Sequence, residues 1–181
     1  MLHILQFLLL TNLLYADIKY DMNDFYKNDN FTKACNIGLK NLSHHKNDEN
    51  YISLYAFSCL KADFIDRLAF PITKLKLSKE ARQNSAYFSI ILMQKKLLYY
   101  ALIDGYDLTS FNFPSTNHVI SKVFDAYSAL KKDDIKSFYI FQDKNDKLLK
   151  YKLYLLKSKG LNKIIIEEIY NNKIIKKHKY W

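Results

Sequence analysis

The chain has 181 residues, 49% of them hydrophobic and 15% aromatic, and a formal net charge of +10. That length and apolar content supply the core of one domain, or of one with a small appendage, and exclude a disordered chain. The charge is lopsided: residues 17–116 hold 13 Lys and Arg against 11 Asp and Glu, whereas residues 117–181 hold 15 against 7. With only 3 Gly and 2 Pro, and many Lys, Asn, Ile and Tyr, the composition matches AT-rich coding, so net charge alone does not single out nucleic acid as a partner.

Residues 1–16, MLHILQFLLLTNLLYA, are an apolar run that ends in a small residue before Asp17-Ile18-Lys19. Such a run reads as a secretory signal cleaved after Ala16. It is shorter than the roughly 20 apolar residues that a spanning helix needs. No Lys or Arg precedes the apolar core, and Leu14 is bulky for its place three residues before the cut. An uncleaved N-terminal helix packed on the domain is the alternative. Cleavage puts the mature protein in the periplasm or outside the cell, which removes chromosomal DNA and cytoplasmic RNA from its partners.

From Ile18 to Leu75 small and apolar residues recur at one offset: Ile18/Ile52, Met22/Ala56, Phe25/Cys59, Phe31/Ile65, Ala34/Leu68 and Gly38/Ile72, each pair 34 apart. Adding the offset again reaches Ala86, Ile90, Met93, Tyr99, Leu102 and Tyr106. A period of 34 predicts stacked helical hairpins. Helical spacing gives a first helix over Tyr20 to Lys27, an Asn28-Asp29-Asn30 turn, a second helix over Thr32 to Ser43 and a polar turn at Lys46-Asn47-Asp48. With Phe25, Phe31 and Ala34 at the required points, this resembles a tetratricopeptide repeat. A second unit runs from Glu49 to Arg82, and a third through Tyr106 fits by apolarity. The usual closing proline is absent, with Lys46 and Glu80 in its places, and Pro71 falls inside the second helix of unit two. That helix must kink or begin late. Packing as a plain helical bundle is the alternative. The resemblance implies a curved surface that holds a peptide or a partner helix and is not itself catalytic.

Cys35 and Cys59 have their sequence midpoint at Asn47, in the turn, so they sit level on two antiparallel helices. Their apolar stripes bring the sulfurs within reach of a disulfide in an oxidising compartment. Two buried free thiols are the other possibility.

Ser85 to Ile103 is the most apolar mature stretch and reads as a central buried helix, ended by Gly105 in the left-handed conformation. Thr116 or Asn117 is positioned to cap a last helix from His118 to Leu130. From Lys136 the period becomes two: Ser137 to Gln142, Leu148 to Lys157, Lys163 to Tyr170 and Lys173 to Tyr180 read as strands separated by short turns, an antiparallel meander. Leu149, Tyr151, Leu153 and Leu155 share one face and Lys150, Lys152 and Tyr154 the other. The expected fold is therefore α+β: a signal peptide over 1–16, helical repeats over 17–131 and a basic meander over 136–181.

Residues 144–181 carry 11 Lys against 3 acids, and Lys150, Lys152, Lys173, Lys176, Lys177 and Lys179 form a candidate anion patch. Lysines also guard strands against edge-to-edge pairing. The sequence carries no Gly-rich phosphate loop, GxSxG elbow or HExxH pair. Adjacent His44 and His45 point about 100° apart on a helix end and do not share a metal. Asp143 to Asp146 begins like a calcium loop without its later ligands and reads as a turn. His178 has no identifiable acid/base partner. No cofactor or metal is expected. The leading expectation is a non-enzymatic exported adaptor that binds a cell-envelope protein through its helical repeats. A binder of anionic envelope polymer or lipid through the lysine-rich sheet comes second, and a hydrolase third.

Overall fold

A computed structural model describes residues 21–130 and 136–181. The signal-peptide expectation for residues 1–16 lies outside them. The fold is α+β, with helices first and a four-stranded antiparallel sheet at the C-terminus. Two compact units divide between Ala86 and Tyr87, inside a helix.

The first unit contains α1 (helical over 21–27), α2 (Phe31–Lys40), α3 (Glu49–Lys61), a 3₁₀ turn (Ile65–Leu68), α4 (Ala69–Lys74) and the start of α5 (Lys79–Asp104). Its geometry repeats at the sequence offset. Helices end at residues 27 and 61; the next begin at Phe31 and Ile65 and end at Lys40 and Lys74. Even the turn is duplicated. Asp29 and Asp63 have φ of 56° and 64°, and the amides of Asn30 and Phe64 donate to the carbonyls of Phe25 and Cys59 at 2.8 and 2.9 Å. These six-residue closures satisfy carbonyls that a helix end would otherwise expose.

The third expected hairpin does not form, because α5 runs unbroken through its position. The residue 34 beyond Asp63 is Leu97, and a leucine is costly in the left-handed conformation that both earlier turns use. Nor is α5 buried all round. Phe88, Ile91, Leu98 and Ala101 lie in the core, whereas Met93, Tyr100 and Ile103 are exposed. Pro71 sits in the first turn of α4, where no intrahelical amide bond is lost, so the 65–74 segment opens as a 3₁₀ turn and continues as an α-helix.

Small residues let α2 and α3 approach closely. Ala34, Cys35, Gly38, Ala56 and Cys59 are buried, and a disulfide joins Cys35 to Cys59 with their Cα atoms 4.7 Å apart. The Tyr51 hydroxyl donates to the Gly38 carbonyl at 3.1 Å, and burial pushes this phenol up to about 12. Asp48 caps α3 by accepting from the amides of Asn50 and Tyr51, both at 3.0 Å. Glu49 ties the far end of the unit: its carboxylate accepts the amides of Lys76 and Leu77 at 2.7 Å and of Ser78 at 2.9 Å. The bond from Leu77 above all, then those from Ser78 and Lys76, outweigh desolvation and lower its pKa from 4.5 to about 2.

The second unit holds the rest of α5, α6 (Val119–Ser128) and strands β1 (Phe138–Gln142), β2 (Leu149–Leu156), β3 (Lys163–Tyr170) and β4 (Lys173–Tyr180), paired in sequence order. His118, not Thr116 or Asn117, caps α6, its Nδ1 accepting from the Ile120 amide at 3.2 Å. Thr116 instead accepts from the His118 amide at 3.2 Å. Gly105 ends α5 at φ 70°. Asn171 and Asn172, both at positive φ, make the two-residue turn between β3 and β4. One sheet face, with Tyr139, Tyr151, Leu153, Ile164, Ile166, His178 and Tyr180, is buried. α6 packs on it, as contacts of Tyr127 with Tyr139 and of Lys122 with Tyr151 show.

Two outcomes follow from the first unit. A Cβ at residue 38 would lie 2.6 Å from the Tyr55 ring and 2.9 Å from Met22 Sδ. Gly38→Ala, which gains about 1 kcal/mol on an open helix, is expected to lose about 1–3 kcal/mol to overpacking here and to melt lower than the parent chain. A melting temperature at or above the parent's contradicts this packing. For Glu49 the folded pKa lies below the ordinary 4.5, so its contribution is complete above pH 4.5 and disappears as pH falls toward 2. Glu49→Gln should therefore be less stable than the parent at neutral pH, and the gap in thermal unfolding should close toward pH 2.

Candidate functional site

Strand register sorts the six lysines singled out by sequence. Pairings of Lys152 with Glu167, Glu167 with Lys177 and Ile165 with Lys179 place Lys150, Lys152, Lys177 and Lys179 on the sheet face turned away from the buried one. Lys163, opposite Leu156, joins them; its position at the strand start hid it from a count centred on β2 and β4. The other two do not belong. Lys176 pairs with Glu168 on the opposite face, and Lys173 lies opposite Tyr170 beside the hairpin turn.

At the centre of the lysine face lies Glu167, which is buried. Its Oε1 accepts from Lys177 at 3.0 Å and from the Tyr154 hydroxyl at 2.9 Å. Burial pulls this carboxyl upward, but the bonds from Lys177 and Tyr154 outweigh it and hold it below the ordinary range. Aromatic rings pin the lysine stems. The Lys152 ammonium lies 5.0 Å from the Phe138 ring centre and 5.4 Å from that of Tyr154, and Lys177 lies 5.7 Å from Tyr154. These distances suit cation–π attraction and fix where the charges stand.

Behind the sheet is a polar cluster that sequence reading missed. Lys122 of α6 reaches Asp143 Oδ2 at 2.8 Å and the Tyr151 hydroxyl at 3.1 Å, and Tyr151 donates to the same Oδ2 at 2.5 Å. Asp143 Oδ1 accepts the amides of Asn145 and Asp146 at 2.8 and 3.1 Å, so this segment is a turn. Hydrogen bonds from Lys122 and then Tyr151 hold the Asp143 carboxyl well below the ordinary range. Burial, then the bond to Asp143, pushes Tyr151 up to about 12. All three groups therefore keep one protonation state through the neutral range, which suits a clamp between α6 and the β1–β2 hairpin better than proton transfer. His178 finds a partner across the sheet: its Nε2 lies 2.7 Å from Glu168 Oε1, and that bond is the first cause of a lowered Glu168 pKa.

A cleft of about 870 Å³ opens between the ends of α5 and α6 and the β1 and β2 strands, walled by Tyr106, Leu108, Tyr127, Tyr139, Tyr154 and Leu155 among others. Tyr127 and Tyr139 meet edge to face at 5.1 Å. Burial, then Tyr139, pushes the Tyr127 phenol up to about 12. Such walls suit an apolar guest. Among the described residues no group of three or more His, Cys, Asp or Glu is placed to hold a metal, and no helix is long and apolar enough to cross a membrane.

Removing the cation of the clamp tests its role. Lys122→Met leaves the buried Asp143 carboxylate without its ammonium and is expected to destabilise the protein by about 2–3 kcal/mol. The deficit should narrow as pH falls, because the Asp143 carboxyl without its ammonium protonates more readily in the folded state and then leaves no unpaired charge. Unchanged unfolding in denaturant would show that the clamp carries no stability.

No known protein family, no curated protein and no solved structure matches this chain.

Proposed function

We propose that the chain is a non-enzymatic binding protein of the cell envelope, whose helical unit docks a protein partner in the manner of tetratricopeptide-like repeats. The observation that carries this reading is the duplicated geometry of the first unit: helix bounds, left-handed Asp29 and Asp63, and the closing amide bonds all recur 34 residues apart. Stacked hairpins of this kind contact only their neighbours and present a continuous surface for ligands. Leu39 of α2 and Leu77, before α5, are large apolar residues left exposed in this unit. The Cys35–Cys59 disulfide suits an oxidising compartment, and the apolar residues 1–16 supply a route to it.

Two measurements test the reading. Protein isolated from its native host should have an intact mass beginning at Asp17; retention of Met1 to Ala16 removes the argument for export. A photo-crosslinking residue placed at Leu39 should give one discrete protein adduct in intact cells, with none from the same residue at Lys147. If Leu39 gives no adduct, or both positions give the same ones, the helical unit is not a docking surface.

A further inference from the structure

We infer that the outer face of the sheet is a docking surface for a bilayer rich in anionic lipid. It is independent of the helical unit and combines fixed lysines with exposed apolar side chains. By register the face carries Lys150, Lys152, Lys163, Lys177 and Lys179 against the single acid Glu167. Guarding an edge does not account for them. In the order β1-β2-β3-β4 the strands β2 and β3 are interior, yet they supply Lys150, Lys152 and Lys163, whereas edge protection needs charge only on an edge strand. The other edge, β1, has no charged residue at all.

Apolar groups stand among these charges. Phe138 pairs with Tyr154 and Ile140 with Lys152, which puts both on the same face, and Ile174 lies opposite Ile169. Their side chains are 46%, 55% and 59% exposed. This mixture selects the occupant. A soluble polyanion gains from the lysines but gains nothing from Phe138, Ile140 or Ile174. A membrane interface gains from both, because lysines meet the headgroups while apolar side chains enter the acyl boundary. The charge on the face is complementary to anionic headgroups and offers nothing extra to zwitterionic ones.

The test is sedimentation of the full chain with vesicles of mixed phosphatidylglycerol and phosphatidylcholine, and with vesicles of phosphatidylcholine alone. Residues 1–16 contain no Asp, Glu, Lys or Arg, so their contribution is common to both vesicles and the difference reports the sheet. Binding to the anionic vesicles is expected to be stronger and to weaken with salt. Lys150→Ala with Lys179→Ala should reduce it about thirty-fold. Ile140→Ser with Ile174→Ser should reduce it roughly tenfold while heparin binding stays unchanged, and both pairs should melt like the parent because all four side chains are at least partly exposed. Equal binding to the two vesicle types overturns the proposal. So does an isoleucine pair that alters neither vesicle nor heparin binding, which would assign the face to a soluble polyanion.

Discussion

The close contact of α2 with α3 sets the form of the first unit. The Cα atoms of Cys35 and Cys59 lie 4.7 Å apart, as facing positions do on helices whose axes pack at the ordinary separation of about 8–10 Å, and only small residues fit between backbones at such points. Ala34 and Ala56 meet that condition, and Gly38 leaves the room that the Tyr55 ring fills against α2. Closing the contact covalently removes conformations from the unfolded chain; for a loop of this length the effect is on the order of 3 kcal/mol. Arg67 reinforces it from the second repeat, its Nη1 lying 3.1 Å from Cys35 Sγ and 2.9 Å from Asn36 Oδ1. The duplicated turns place Arg67 there, since they fix where the 3₁₀ segment begins.

The second unit is governed by the pleat. Alternation sends Tyr151 and Leu153 inward and Lys150 and Lys152 outward along one strand, so every polar group on the buried face must find a partner inside the protein. Asp143 finds Lys122 and Tyr151, and Glu168 finds His178. Removing a charge from water costs several kcal/mol, and only close opposite charge with further hydrogen bonds offsets that. Hence the bonds to Asp143 converge on both of its oxygens, two from backbone amides and two from side chains.

Local patterns were readable in the sequence, and long-range polar contacts were not. The bounds of β3 and β4 agree with the expected ones because Asn171-Asn172 can adopt positive φ and alternation persists on both sides of it. Helical spacing anticipated the first helix end at residue 27 and the Asn28–Asn30 turn, but it carried the second helix to Ser43, whereas the structure ends it at Lys40. The 34-residue offset failed in the third unit, where Leu97 offers apolarity without the turn. Capping preferences pointed to Thr116 or Asn117, yet His118 caps α6, because the Thr116 hydroxyl is occupied by the His118 amide and Ser121. The pairing of Glu49 with the 76–78 amides, and of Lys122 with Asp143, links residues more than twenty apart. No local periodicity carries such information. For the candidate lysine patch, composition gave the number of charges but not their faces, which register alone decides; hence Lys163 was missed and Lys173 and Lys176 were included.

The outer face raises a different energetic question, because clustered like charges repel one another. Three features reduce that cost. Solvent screens exposed ammonium groups beyond about 10 Å at ordinary ionic strength. Glu167 places one negative charge beside Lys177 and opposite Lys152. The rings of Phe138 and Tyr154 attract the same ammonium groups and restrict their stems. The last feature bears on Lys152 and Lys177. A lysine on an open surface loses side-chain freedom when it meets an anion, of order 1.5–2 kcal/mol, whereas a stem already held against a ring has lost part of that on folding. An acid buried at the centre of a basic face is thus consistent with that face: it positions Lys177, lowers the repulsion on Lys152, and leaves Lys150, Lys163 and Lys179 to carry the surplus charge outward.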